Sequence, residues 1–372
     1  MDLKIAVLSG DGIGPEVILQ AKKALNAIGE VYDHEFVFED ALVGAVAIDQ
    51  TGNPLPNQTL NLCLNTDAVL FGAIGHPKYD NNPDAKVRPE QGLLRLRTEL
   101  GLFANIRPIK PYKALLDASP LKREVIEGVD FVIYRELSGG VYVGEKKLNE
   151  AGTAASDSYE YSEEQISRIT HLAFKAAQKR RKKVTMVDKS NVLETSRLWR
   201  RLVQKIGESY PDVALNFLLV DNAAKQIILN PRQFDVILTE NMFGDILSDE
   251  ASVIASSIGL LASESLGHDK ALFEPIHGSY IEATGKNIAN PIASILSAAM
   301  LLEYFGLINE ANKVYEAVEK AFEHKIVTTD LNSFSKFGTN EVGDFVSNFI
   351  LSKDDLLYFN NDNVHIGQST IV

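Results

Sequence analysis

Asp245 and Asp249 stand four residues apart in the run Thr239-Glu-Asn-Met-Phe-Gly-Asp-Ile-Leu-Ser-Asp-Glu250. A β-rich stretch ends at Asn241 and a helical pattern takes over near Gly244, so the two carboxylates project from one helix face. Like charges at that spacing repel by roughly 0.2–0.5 kcal/mol in an isolated helix. On this motif alone the pair is either a solvated acidic face or a site for a divalent cation, which favours hard oxygen ligands. Three arginines, Arg97, Arg107 and Arg135, offer a second chemistry. Their planar forks match carboxylates bidentately, so together they can hold a di- or tricarboxylate, while each alone reads as a surface ion pair. Tyr142 and Lys189 could serve as acid and base. A lysine gives up its proton near neutral pH only when burial and a nearby cation depress its pKa; without such neighbours both side chains are structural.

Two glycine-bearing loops suggest ligand contact. Gly10-Asp-Gly-Ile-Gly-Pro15 follows the first apolar run and opens a helix, but a dinucleotide fingerprint needs glycine where Pro15 stands. Pro15 suits the first turn of a helix, where its missing N–H costs nothing, so a standard Rossmann site is rejected. Glu274-Pro-Ile-His-Gly-Ser279, followed by Gly285-Lys-Asn-Ile-Ala-Asn-Pro291, is a surface loop or a cradle for a nucleotide.

The elements that must carry these groups alternate as in an α/β protein. Strands are expected at 4–8, 68–71, 131–134, 183–187, 216–220 and 235–238, and helices near 15–28, 163–182, 194–209, 222–229, 244–258, 291–305 and 309–324. In the helix at 163–182, Ile166, Ile169, Ala173 and Ala177 share one face, and the basic end suits a helix C-terminus. Arg135, Lys189, Asp221 and Asn241 each follow an expected strand. The carboxyl edge of an open α/β sheet is where ligands bind, and four such placements together favour a site there. The polar stretch 145–162 reads as an excursion or arm, and 360–372 as a loose tail.

Composition bounds the function. The chain has 372 residues, 45% of them hydrophobic, enough for two ordinary domains. A net charge of −13 excludes a general nucleic-acid binder but not a small anionic ligand. The single cysteine, Cys63, excludes a disulfide framework and fits a reducing compartment. The N-terminal apolar run is too short for a signal peptide, and nothing approaches the ~20 apolar residues of a membrane span. A cytoplasmic protein is expected.

Taken in order, Gly10-Asp-Gly-Ile-Gly-Pro-Glu-Val17, Leu102-Phe-Ala-Asn-Ile-Arg-Pro108, Arg135-Glu-Leu-Ser-Gly-Gly-Val-Tyr142, Asp188-Lys-Ser-Asn-Val-Leu-Glu194, Asn241-Met-Phe-Gly-Asp-Ile-Leu-Ser-Asp249 and Glu274-Pro-Ile-His-Gly-Ser279 resemble the isocitrate/isopropylmalate family of β-decarboxylating dehydrogenases over nearly the whole chain. The resemblance implies a two-domain α/β fold that shares a long mixed sheet and is not the Rossmann fold. The first domain takes 1–102 and 256–372; the second, 103–255, carries the dimer contacts and the catalytic residues.

The same resemblance implies the roles. Arg97, Arg107 and Arg135 grip the malate carboxylates, while Leu93 and Leu94 form the apolar patch that accepts an isopropyl group. Asp245 and Asp249, with Asp221 from a partner subunit, bind Mg²⁺ or Mn²⁺. Lys189 and Asn191 also come from the partner, so the active unit is a homodimer. Lys189 is the base and Tyr142 the acid of an oxidative decarboxylation of 3-isopropylmalate to 4-methyl-2-oxopentanoate, a step of leucine biosynthesis. Gly75, Glu90, His277, Gly278, Glu282, Ala289 and Asn290 contact NAD. The family commonly has Ser-Ala-Pro-Asp where this chain has Ser279-Tyr-Ile-Glu282, which leaves the shape of that loop open. A carboxylate at Glu282 still favours NAD over a 2′-phosphorylated cofactor. Rival readings are a dehydrogenase for isocitrate, homoisocitrate, tartrate or malate, and a non-catalytic metabolite sensor. A sensor has no need of acid, base and metal ligands together.

Overall fold

A computed structural model describes residues 1–82 and 84–352 of the chain, and the expected tail at 360–372 lies outside them. The fold is α/β with a large mixed sheet. Its strands are β1 (Asp2–Gly10), β2 (Glu35–Asp40), β3 (Ala68–Ala73), β4 (Ala104–Ile109), β5 (Phe131–Glu136), β6 (Lys146–Leu148), β7 (Ala155–Asp157), β8 (Lys183–Asp188), β9 (Ala214–Leu219), β10 (Val236–Thr239), β11 (Ala262–Leu266) and β12 (Ala271–Pro275). The helices are α1 (Gly14–Tyr32), α2 (Ala45–Thr51), α3 (Asn57–Asn65), α4 (Pro77–Asp80), α5 (Glu90–Glu99), α6 (Arg123–Ile126), α7 (Glu163–Gln178), α8 (Glu194–Gly207), α9 (Val220–Leu229), α10 (Asn241–Ala251), α11 (Ile292–Tyr304), α12 (Ile308–Glu323) and α13 (Thr339–Leu351). Among the described residues no helix is long and apolar enough to cross a membrane. The described residues divide into two compact units, one of Met1–Pro89 with 273–352, the other Glu90–Leu272.

In the first unit β1 pairs in parallel with β2 on one side and β3 on the other. Every residue of β3 is buried, as befits a parallel strand covered on both faces. Helix α1 packs against α11 and α13. Residues Ile292 to Leu302 of α11 are all buried, so this helix is apolar all round and forms the centre of the unit.

In the second unit β4 runs antiparallel to β5, and β5, β10, β8 and β9 are parallel in that order. Helix α7 begins with a reciprocal capping box between Ser162 and Gln165 and buries Ile166, Ile169, Ala173 and Ala177, the face expected from spacing. These residues join Phe174, Trp199, Val184, Met186, Val236 and Leu238 in one core. Each fully buried side chain of this size contributes roughly 1.5–3 kcal/mol. The excursion expected at 145–162 contains β6 and β7, a separate antiparallel pair.

Parallel pairing brings the carboxyl ends of β5, β8 and β10 to one edge, with Thr239 in register with Arg135 and Val187. Element ends differ from those expected by a few residues in several places, and two of these differences bear on the site. Asn241 does not trail a strand but opens α10, because the Glu240 carboxylate caps the helix by accepting from the Met242 and Phe243 N–H groups. Strand β9 likewise ends at Leu219, and Asp221 lies in the first turn of α9.

Candidate active site

The carboxyl end of β5 and the first two turns of α10 build the centre of the site. Arg135 is the fifth residue of β5, with its side chain 3% exposed. Its Nε and Nη2 both donate to Asn241 Oδ1, at 3.1 and 2.9 Å, and Nη1 donates to Asp245 Oδ1. Tyr142 Oη donates to the other oxygen of Asp245 at 3.1 Å, and the Arg135 guanidinium lies 5.6 Å from the Tyr142 ring centroid. The helix comes this close because residue 244 is glycine: a Cβ there would sit 2.7 Å from Arg135 Cβ and Cγ.

Arg107, on β4, joins from the other side. Its Nε donates to Asn105 Oδ1 at 2.6 Å, Nη1 donates to Ser248 Oγ, and Nη2 lies 3.4 Å from Asp245 Oδ1. Asp249 is looser, with its side chain 61% exposed and Arg107 Nη1 3.9 Å away. Burial works to raise the Asp245 pKa, but the charges of Arg135 and Arg107, the Tyr142 hydrogen bond and the charge of Arg97 carry it below the usual carboxylate range. The arginines thus answer the charge of Asp245, while burial first, with the Asp245 charge adding to it, holds the Asp249 pKa above the usual carboxylate range. Burial pushes the Tyr142 phenol up to about 12, with the Asp245 charge adding to the effect. Arg135 holds its proton less firmly than an ordinary arginine, through burial first and then Arg107, yet a guanidinium stays charged at neutral pH.

Arg97 stands on α5 with Glu90, Leu93 and Leu94 at helical spacings of three, four and seven, so the four share a face. Leu93 is half-buried and Leu94 exposed. Apolar surface therefore lies one turn from a cation whose charge reaches Asp245.

Lys189 and Asp221 form a second group. Lys189 follows β8, and its Nζ meets Asp221 Oδ1 at 2.8 Å. The turn beneath is fixed by the buried Asp188 carboxylate, which accepts from Ser190 N and from Arg200 Nε and Nη2. Asn191 is exposed on the same turn. Among the described residues the side chains of Lys189 and Asp221 pair with each other, and the structure does not join them to Tyr142, Asp245 or Asp249 within one chain.

Asp245 and Asp249 suit a hard divalent cation in donor type and helical spacing. A full set needs more: among the described residues no group of three His, Cys, Asp or Glu side chains gathers as metal ligands.

The residues expected to meet NAD fall in the first unit, except Glu90. Ile13 N donates to Ser279 O at 2.8 Å, and Gly12 has φ +59° with Ser279 O 2.0 Å from where a Cβ would sit, so only glycine admits the loop this close. Ile13, Val17, Ala283 and Ala289 close a small core beneath it. Within the loop Tyr280 takes φ +38°, and Glu282 is exposed on the 3₁₀ turn Ile281–Ala283. His277 is 9% exposed; its Nδ1 lies 2.9 Å from Gly278 O, and its Nε2 is buried with no protein partner. An orphaned buried nitrogen beside Gly278, which has open space where a Cβ would point, fits a bound cofactor. Asn290 Nδ2 donates to Asp330 Oδ2 at 3.0 Å. Gly75, at φ +113°, donates its N–H to Asp11 Oδ2 at 2.9 Å.

Several residues of the site went unforeseen. Asp11 is a buried hub that also accepts from Ala45 N and Val46 N, capping α2 across a long sequence separation. Asn105 and Ser248 hold Arg107, and only the helical offset of Ser248 from Asp245 hinted at this. The position of Asn241 after an apolar run marks it as a site candidate, but its bonds to Arg135 have no sequence signal.

Comparison with known proteins extends the geometry. The family described as "Isocitrate/isopropylmalate dehydrogenase" matches residues 4–346. The chain is 50% identical over 352 residues to a 3-isopropylmalate dehydrogenase of Bacteroides fragilis, covering 94% of this chain and 99% of that one. It is 51% identical over 347 residues to the 3-isopropylmalate dehydrogenase of Aquifex aeolicus, covering 92% and 95%. Among solved structures, the isocitrate dehydrogenase of Methylococcus capsulatus superposes with a TM-score of 0.86 at 32% identity, covering 94% of this chain and 100% of that one. A β-decarboxylating dehydrogenase of Thermococcus kodakarensis gives 0.76 at 35% identity, covering 94% and 96%.

Proposed function

The chain belongs to the isocitrate/isopropylmalate dehydrogenase family, and from that membership we propose that it oxidises and decarboxylates 3-isopropylmalate to 4-methyl-2-oxopentanoate with NAD, as a cytoplasmic step of leucine biosynthesis. The observation that carries the substrate is the shared face of α5, where Leu93 and Leu94 offer apolar surface beside Arg97. An isopropyl group needs such a patch; a carboxymethyl group at that position needs a polar partner. Half-identical relatives named for the same substrate support the choice.

The active unit is a homodimer in which the partner's Lys189, Asn191 and Asp221 complete the site built on α10 and β5. The partner's Asp221 is then the third carboxylate beside Asp245 and Asp249 around Mg²⁺ or Mn²⁺. When bound, NAD supplies the acceptor for the C2 hydride, and the cation supplies positive charge at the C2 oxygen and the C1 carboxylate. Arg97, Arg107 and Arg135 hold the two carboxylates, and the preset bonds of Arg107 and Arg135 lessen the ordering cost of binding. Lys189 is the base that accepts the C2 hydroxyl proton. The C3 carboxylate, β to the new carbonyl, leaves as CO₂, and Tyr142 delivers a proton to C3. The exposed carboxylate of Glu282 favours an unphosphorylated ribose. His277 Nε2, Gly278, Gly75, Glu90, Ala289 and Asn290 complete the cofactor contacts.

The test is absorbance at 340 nm with 3-isopropylmalate, NAD and Mn²⁺, repeated with EDTA, NADP or isocitrate. Reduction only with the first set is expected. Faster turnover of isocitrate overturns the reading of Leu93 and Leu94, faster turnover with NADP that of Glu282, and undiminished rate in EDTA that of the aspartates.

A further inference from the structure

Asn241 is 2% exposed at the first position of α10, and all its side-chain hydrogen-bonding capacity is used. Oδ1 accepts two bonds from the Arg135 guanidinium, while Nδ2 donates to Leu137 O at 3.3 Å and Gly139 O at 3.1 Å. Those carbonyls belong to the chain between Arg135 and Tyr142. One carboxamide therefore touches the arginine at the strand end, the turn that delivers the tyrosine, and the helix that carries Asp245 and Asp249.

We infer that Asn241 is a positioning residue that sets Arg135 for the substrate carboxylate and Tyr142 for proton delivery at the same time. The inference rests on the functional reading above and adds a coupling to it. A guanidinium anchored at Nε and Nη2 to a single oxygen has lost most of its rotational freedom. Its remaining fork is aimed at Asp245 and at whatever carboxylate binds beside it. The Nδ2 bonds hold Leu137 and Gly139 against the helix start, so the tyrosine hydroxyl reaches the same aspartate. Aspartate, isosteric with asparagine, could accept from Arg135 but would set an oxygen against both carbonyls; only the amide satisfies both sides. Asn241 acts through Arg135 and Tyr142 and has no role at the reacting atoms.

Steady-state kinetics of Asn241→Ala in the full-length enzyme test this. The expected result is at least a 10-fold higher KM for 3-isopropylmalate and at least a 10-fold lower kcat, with the KM for NAD within twofold of wild type. Tyr161→Phe removes the hydroxyl that accepts from Asn241 N and donates to Glu240, so it loosens the same helix start without touching Arg135. It should lower the melting temperature and leave the KM for 3-isopropylmalate unchanged. Combined with Arg135→Lys, Asn241→Ala should raise KM by less than threefold beyond Arg135→Lys alone, since its effect on binding passes through that arginine. If the alanine variant does not fold, Asn241→Ser, which keeps a hydroxyl near one carbonyl, is read in the same cycle. Multiplicative effects in the double variant, or a KM shift in Tyr161→Phe equal to that in the Asn241 variant, overturn the inference. A wild-type enzyme inactive on 3-isopropylmalate removes the functional reading as well; an active one with unaltered Asn241 variants removes the inference alone.

Discussion

Tyr142 donates to Asp245 across 3.1 Å, and that aspartate takes Arg135 on its other oxygen. A phenol bonded to a carboxylate keeps its proton, and burial reinforces this. In the proposed reaction Tyr142 therefore starts protonated, the form an acid needs. Tyr142→Phe should lower kcat by about 10²–10⁴-fold, the usual worth of a general acid, with KM changed only a few-fold. Equal activity of the phenylalanine variant in initial-rate measurements places the acid elsewhere.

Lys189 and Asp221 pair at 2.8 Å, apart from the Asp245 cluster of their own chain. In a shared-site dimer, Lys189→Met and Asp245→Asn are each inactive alone. Mixed by unfolding and refolding together, they should recover about one quarter of wild-type activity, since half the dimers are mixed and each has one intact site. No recovery, with mixed dimers shown by mass spectrometry, means that Lys189 serves its own chain.

Gly244 lets α10 approach Arg135. Gly244→Ala would place a methyl group 2.7 Å from the arginine stem, and overpacking of this kind costs roughly 1–3 kcal/mol. Urea denaturation should show that loss, and the KM for 3-isopropylmalate should rise as Arg135 is displaced. An unchanged midpoint would mean that the helix start yields freely.

His277 is buried, and burial holds its pKa below 6.5. Between the lowered folded value and 6.5 the unfolded chain binds more protons than the folded one. Stability from this group is therefore complete above 6.5 and is lost as pH falls through the window. Melting temperature should drop on going from pH 7 toward 5, and His277→Gln should flatten that slope. Parallel slopes for the two proteins would show that the imidazole is freely solvated.

Much of this was legible in the sequence, and the pattern of success is physical. Parallel strands such as Phe131-Val-Ile-Tyr134 and Asp235-Val-Ile-Leu238 are buried on both faces and stand out as apolar runs. Helix α7 announced itself by its apolar period and its basic end, though it stops at Gln178 rather than 182. Strand β2 escaped because it lies at a sheet edge and carries Glu35, Glu39 and Asp40; β11 escaped because Ala262-Ser-Glu-Ser-Leu266 is short and polar. In β4 the antiparallel pairing tolerates Pro108 and Arg107, residues that read as loop. Within the site, Tyr142, Asp245, Arg107 and Arg135 were named and come together. The residues that hold them, Asn105, Asn241 and Ser248, are uncharged and common, and their value lies in contacts over long sequence separations that no local pattern encodes.

Ser279 is held to the opening loop through main-chain atoms, since Ile13 N donates to its carbonyl and Gly12 makes the approach possible, while the Ile281 side chain lies beside Gly12 and Ala283 packs with Ile13 and Val17. The main-chain part of this anchor is blind to the side chains that follow; the apolar part is not. Tyr280 and Glu282, both exposed, can therefore vary without undocking the loop, provided Gly12 stays. Sequence change is free at the exposed positions and closed at Gly12, so the chemistry this loop presents can diverge while its scaffold does not.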